Sequence, residues 1–565
     1  MHDLLIENAL IVDGTGSEPV HGNIAVSDGV ITHITEGKSG GENAQKYIDA
    51  NGLVVAPGFV DPHTHYDAQL AWDPLLTSSP WHGVTTVVQG NCGVGVAPLP
   101  PAMREIAMWD LVHVEDIPFE TLKEGIDWQW ETYGQYLDAM QARGVGINVA
   151  GFVPLTPIRQ TVMGEASLER AGTDEEIVRM KQVLRQSLRE GGFGWSATFS
   201  EGHVGYEGRP VACRLADRRE LGALCDVTKE ERLGSIELTF GQPELGAIAD
   251  DALDTLRFVS DRSQRPITYL AMVNHPRDPL SYLKGANRMK DLLAFNKVLP
   301  QFLVKPLTNN IHLTNPQTLG FCKSFHRIYD RPLEEQLALY SDPEFRIALQ
   351  QDLDENELTD DFYDRVTVLD GNLALTKALA ASGKTIAEIA SEQGKSGIDC
   401  WLDLAVEENL EIQYTFAAVA FEEQGTVNLI NDGRFMPGLS DGGAHVATLN
   451  DTGYATYLLG HWVREKQALS LQEAVRLLTS LPADHFGIAR RGRIQVGNHA
   501  DLVMFDPDTV MNHVSEYEVD LPANGRRLVT RATGIHATIV NGVPLFLEGE
   551  YQGVLPGRML RSLDR

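Results

Sequence analysis

A chain of 565 residues with 43% hydrophobic content is long enough for one large domain plus a smaller one, each with its own core. The formal net charge of -31 argues against phosphate-backbone recognition, which requires clustered Lys and Arg, so nucleic acid is not an expected partner. No run approaches the roughly 20 apolar residues that span a bilayer, and the charged start MHDLLIENALIVDG lacks the apolar stretch of a signal peptide; no membrane partner and a cytoplasmic location are expected.

Taken in chain order, LLIENALIVDG, GNIAVSDGVITHIT and KYIDANGLVVAPG read as short strands reversing at Gly, Asn and Asp. The same signature returns in GRIQVGNHADLVMFD and IHATIVNGVPLFLEG, so residues 1–56 and 487–565 are expected to build one small β domain from both chain ends. Between them, over 57–486, strand-like runs alternate with helical patterns: PGFVDPHTH, GVTTVVQGN, GINVAGFVP, GGFGWSATF, LGSIELTFG, RPITYLAMVN, IQYTFAAVAF and FMPGLSDGG. Eight such βα units point to an α/β fold, a (β/α)8 TIM-type barrel. Helices of the outer ring include TDEEIVRMKQVLRQSLREGG, opened by Thr173 and Glu176 in capping-box spacing and ended at Gly191, and LSLQEAVRLLTSL with Ser470 as N-cap and Glu473 three residues on. Residues from about 276 to 400 carry few strand signals and several helices, which predicts a helical insertion above the barrel mouth that shapes a substrate pocket.

In a barrel, chemistry gathers where strands end at their C-termini. The first strand runs into His63 and His65, which the two-residue period of an extended strand turns to one side with Phe59 and Asp61. The second, if extended to its end, puts Val84, Thr86, Val88, Gly90 and Cys92 on one face; the eighth ends in Ser440-Asp441, followed by GGAH with His445. Two imidazoles, a thiolate and a carboxylate at three strand ends suit a divalent metal, and zinc accepts all three ligand types. The five cysteines are widely separated with no CxxC spacing, so neither a disulfide framework nor a zinc ribbon is indicated.

PGFVDPHTHYDAQL, GVTTVVQGNCGVG, LSDGGAH and the terminal GNHADLVMFD with ATIVNG resemble the amidohydrolase superfamily, and within it the D-aminoacylase-like, N-acyl-D-amino-acid deacylase branch. The resemblance spans nearly the whole chain and implies a metal-bearing barrel joined to a small β-sandwich. It also implies that His63, His65, Cys92 and Asp441 are metal ligands, that Asp441 is catalytic, and that one or two divalent ions, zinc foremost, are bound. The chain departs from the branch at strands five and six, where SIELTF and ITYLAMVN carry no histidine, and GWSATFSEGH has no strand-four lysine. Glu237, His203 and His275 are the candidates to fill the gap, with Glu237 alternatively paired to a barrel arginine and the two histidines alternatively pocket or surface residues. Amide hydrolysis by metal-activated water follows, with Asp441 as general base and then acid and His203 as a donor to the oxyanion. An N-acyl amino acid brings a carboxylate, for which Arg209 or Arg214 is the expected clamp. A small-molecule substrate is thus expected, and a homo-oligomer is compatible. The rival readings are hydrolysis of a cyclic amide, lactone or carbamate, a metal-dependent lyase or cyclase, and a metal-free barrel serving as an assembly or binding protein.

Overall fold

The computed structural model describes residues 1–37, 43–241, 246–275, 278–294, 297–356, 359, 361–419 and 423–564. Both chain ends meet in one nine-stranded sheet: His2–Ile11, Val20–Ser27, Val30–Glu36, Ala44–Asp49 and Val54–Pro57 join Leu502–Phe505, Ile535–Val540, Val543–Leu547 and Glu550–Tyr551. The seam is Val54–Pro57 running antiparallel to Leu502–Phe505, with Val54 opposite Phe505. Leu4, Ile24, Val26, Val55, Leu502 and Ile539 form a core of their own beneath it.

The segment between carries eight parallel strands: β1 (Phe59–Asp61), β2 (Val84–Gln89), β3 (Asn148–Gly151), β4 (Gly194–Thr198), β5 (Ser235–Thr239), β6 (Ile267–Met272), β7 (Val298–Phe302) and β8 (Met436–Pro437). Strands β1, β2 and β3 pair in that order; β3 breaks at Phe152 and resumes as Val153–Pro154, from which β4 to β8 follow in sequence. A parallel bridge from Thr64, just past β1, to Gly442, just past β8, links last strand to first. Strands β2, β4 and β5 are buried along their whole length, their polar residues Thr86, Ser196 and Glu237 included, as parallel strands covered on both faces are. Among the surrounding helices, Asp174–Glu190 opens with the expected capping box, Thr173 accepting from the Glu176 N–H and Glu176 reaching back, and Ser470 accepts from the Glu473 N–H ahead of Leu471–Leu478.

Two expectations are corrected. The seventh parallel strand is β7, which lies inside the predicted 276–400 insertion, whereas IQYTFAAVAF forms Gln413–Val419 in a separate antiparallel sheet with Leu307–Ile311 and Val366–Asp370. The end of that run, residues 420–421, lies outside the described residues. The excursion therefore leaves after Phe302 and returns before Met436, and it mixes sheet with helix around its own core of Phe325, Tyr340, Leu349, Trp401 and Tyr414. It packs on the loops that matter. Asn315 donates to the Val112 carbonyl (3.1 Å) and His113 meets Asp330 (2.9 Å) on α1 (Arg104–Glu115); Asp330 accepts the Glu207 N–H (2.9 Å), and the Asn310 N–H donates to the Thr448 carbonyl (2.8 Å). No helix among the described residues is long and apolar enough to cross a membrane.

Candidate metal centre

β1 stops at Asp61, so His63 and His65 stand on the turn beyond the strand rather than on its face. That turn is pinned from both neighbours: the Thr64 N–H donates to the Val88 carbonyl (3.0 Å), the His65 N–H to the Gly442 carbonyl (2.7 Å), and the Asp61 carboxylate accepts the His63 N–H (3.2 Å). Gly443 has φ +90°, and a Cβ there would sit 2.7 Å from the His65 carbonyl oxygen, so this approach needs glycine. Cys92 does not arrive on an extended face as expected. Left-handed Gly90 (φ +74°) and Cys92 (φ +53°) reverse the chain after β2, and Glu237 on β5 accepts the Cys92 N–H (2.9 Å), holding the turn in place. At the end of β8, Asp441 (φ +47°) and His445 (φ +49°) also take the left-handed conformation, which costs non-glycine residues energy and concentrates at functional sites.

The imidazoles of His63 and His65 and the Cys92 thiol bring one ligand atom each to within 4.8 Å of one another, all buried. Cys92 Sγ lies 3.5 Å from His63 Nε2, and one Asp441 oxygen lies 3.4 Å from His63 Nε2 and 3.6 Å from His65 Nε2. The other nitrogen of His65, Nδ1, faces Glu115 at 3.2 Å. Glu115 ends α1 and also stands 3.9 Å from His445, whose backbone N–H donates to the Glu115 carbonyl. Nothing in the sequence singled out Glu115; a glutamate in WDLVHVED has no motif, and only the approach of the end of α1 to the turn after β1 brings it to His65.

Charge balance decides what the site can hold. Glu115 and Glu237 are each pushed up to about 7 by burial, and burial with Glu237, Glu115 and Asp441 pushes the Cys92 thiol well up. Burial opposes a charge on His65, but Glu115 and Asp441 outweigh it and raise the imidazole to about 9; burial alone dominates at His63, lowering it to about 3. Asp441 is held below the ordinary carboxylate range by His65 and His63 in spite of its burial. No Lys or Arg among the described residues pairs with Glu115, Glu237 or Asp441. Three carboxylates and a thiol thus share a buried space with imidazoles as their only basic partners, a donor set that a divalent cation balances.

The remaining expected residues divide. His203 belongs to the same neighbourhood: burial and the His445 and His65 rings lower it to about 3, and its Nδ1 is buried without a hydrogen-bond partner. Glu237 is not paired with an arginine; it holds the Cys92 N–H and accepts the Thr239 hydroxyl (2.8 Å). His275 is held elsewhere, in a turn where its N–H donates to Ser281 (2.6 Å) opposite Asp278, and does not join His63, His65 and Cys92. Arg209 forms a half-exposed ion pair with Glu207 (2.6 Å), whereas Arg214 donates to the backbone carbonyl of His203 (3.1 Å).

Residues 46–546 match the sequence profile of the amidohydrolase family. The chain is 27% identical to a D-aminoacylase of Alcaligenes xylosoxydans xylosoxydans, over 99% of this chain and 97% of the relative, and 27% identical to an N-acyl-D-glutamate deacylase of the same organism, over 99% and 96%. Among solved structures, an N-acyl-D-glutamate deacylase from Bordetella bronchiseptica, complexed with zinc and a phosphonate mimic of the tetrahedral intermediate, superposes with TM-score 0.69 at 24% identity over 99% of both chains. A D-aminoacylase crystal structure superposes with TM-score 0.67 at 23% identity, covering 99% of this chain and 100% of the other.

Proposed function

Because the chain belongs to the amidohydrolase family, hydrolases acting on carbon–nitrogen bonds other than peptide bonds, we propose that it cleaves the amide of an N-acyl-D-amino acid with one zinc ion. In this reading the eight parallel strands close as a (β/α)8 barrel, and the nine-stranded terminal sheet folds over its core as a small β-sandwich built from residues 1–56 and 487–565. The observation that carries the proposal is the convergence of His63, His65 and Cys92 within 4.8 Å at the end of the strands, with Asp441 against both imidazoles. A metal-free binding barrel gives no reason for so much buried negative charge.

His63, His65 and Cys92 would hold a divalent ion, which would supply a Lewis acid and an activated water at neutral pH. Asp441, kept ionised by the two imidazoles, takes the proton of the attacking water and returns it to the departing nitrogen. His203 stays neutral and offers a donor to the carbonyl oxygen as negative charge develops there. Glu237 is spent on the Cys92 turn and on Thr239, which favours one ion over two. Arg214, reaching the backbone of His203, is assigned the substrate carboxylate in preference to Arg209.

The test is elemental analysis of the purified protein together with a panel of N-acetyl-D- and N-acetyl-L-amino acids, assayed for the released amine. One equivalent of zinc and turnover confined to the D series, lost on chelation, is the expected result. A protein without divalent metal, or one that turns over none of the panel, refutes the reading.

A further inference from the structure

At the far end of the parallel strands from His63 lies a cavity of about 590 Å³, within the range of small-ligand sites. Phe193, Gly234 and Arg265 stand just before β4, β5 and β6, so this cavity opens at the N-terminal ends of the strands, whereas His63, Cys92 and Asp441 follow C-terminal ends. Five arginines line it (Arg232, Arg265, Arg490, Arg491 and Arg493) against two carboxylates, Asp484 and Asp564, in a chain whose net charge is -31.

Two of the five are neutralised: Arg493 by Asp484 at 2.5 Å, and the buried Arg491 by the buried Asp501, with Asn541 accepting a second bond at 2.9 Å. The other three have no carboxylate partner among the described residues. Arg265, half-buried, donates Nε to the Gly234 carbonyl (2.8 Å), and Arg490 donates Nε to the Gly497 carbonyl (2.9 Å). Arg232 follows the helix Arg218–Glu231 in a left-handed conformation (φ +57°). The neighbouring His499 reports the resulting field: burial, then Arg491, Arg490 and Arg558, lower it to about 4. Most other surface arginines here pair with an acid, so cationic groups left over in one concavity are an anomaly with a chemical use.

We propose that this cavity binds a small polyanion bearing phosphate groups. The guanidinium groups of Arg232, Arg265 and Arg490, carried by three separate elements, keep N–H donors beyond those given to the Gly234 and Gly497 carbonyls and can turn them to phosphate oxygens. The site is independent of the hydrolytic centre and does not rest on the assignment of its substrate.

The experiment is isothermal titration of the metal-loaded protein with inorganic pyrophosphate at several salt concentrations. Expected are one site per chain, affinity falling as salt rises, and at least a tenfold loss in the double variant Arg265→Gln, Arg490→Gln. If that variant does not fold, Arg232→Gln on the exposed rim should lose at least threefold. No binding at millimolar pyrophosphate overturns the proposal. So does affinity retained in the variants, because the anion is then sitting at the His63–Cys92 centre.

Discussion

Glu115, buried, and Asp441, partly exposed, are both carboxylates against His65, but they face opposite nitrogens of the ring, so their loss should have different consequences. Glu115 faces Nδ1 at 3.2 Å; if it fixes the ring, Glu115→Gln should weaken metal affinity about 10–100-fold, read by chelator competition. If the chelator strips variant and wild type alike, Glu115 is no more than a neighbour. Asp441→Asn keeps the shape and removes the proposed base, so at equal metal occupancy turnover should fall ~10²–10⁴-fold; a variant within a few-fold of wild type moves the proton transfer to another group. Cys92→Ala should lower metal content whereas Cys225→Ala should not, since Cys92 lies beside His63 and Cys225 is buried in the helix Arg218–Glu231. Equal metal in both variants would return Cys92 to the core.

At the level of elements, local signals held where they were mechanistic. Thr173 and Glu176 form a reciprocal capping box, and Thr173→Ala should cost about 1 kcal/mol, seen as a lowered urea midpoint with activity intact; an unchanged midpoint would show the helix secured by packing alone. Two strand assignments failed for physical reasons. VLPQF is five residues long with Pro300 inside it, a residue that argues against an interior strand, yet parallel pairing to β6 and β8 carries it. QYTFAAV is a real strand, but its alternation says nothing about which sheet receives it. The excursion that holds it braces α1 through Asn315 and Asp330 and the Asp441 loop through Asn310, so it positions Glu115 and His445 from outside the strands.

Across the whole molecule, His82 ties the parallel strands to the C-terminal segment: one ring nitrogen meets Thr456 (2.8 Å) and the other the Thr530 carbonyl (2.9 Å). Burial lowers it to about 4, below the 6.5 of an exposed histidine, so it is neutral when folded and takes up a proton on unfolding in acid. Its contribution is complete above pH 6.5 and disappears as pH falls towards 4, about 3 kcal/mol in all. His82→Gln cannot titrate, so its urea midpoint should fall less steeply than that of wild type between pH 6.5 and 4.5. Parallel profiles would mean that His82 stays solvated. The raised carboxylates Glu115 and Glu237 act in the opposite sense in both proteins and cancel in the comparison.

The sequence alone determined the pieces whose meaning is local. His63 and His65 after an apolar strand, Cys92 after the next, Asp441 before two glycines and matching strand patterns at both chain ends all declare themselves within a few residues. Only the tertiary structure decided what depends on contacts remote in sequence: Glu115 reaching His65 across fifty positions, Glu237 being spent on the Cys92 turn, His275 being held elsewhere, and β7 taking the seventh place. The reason is that periodicity and turn chemistry act through backbone geometry along the chain, whereas partner choice for a buried charge is set by which elements pack together, and no short stretch of sequence carries that information.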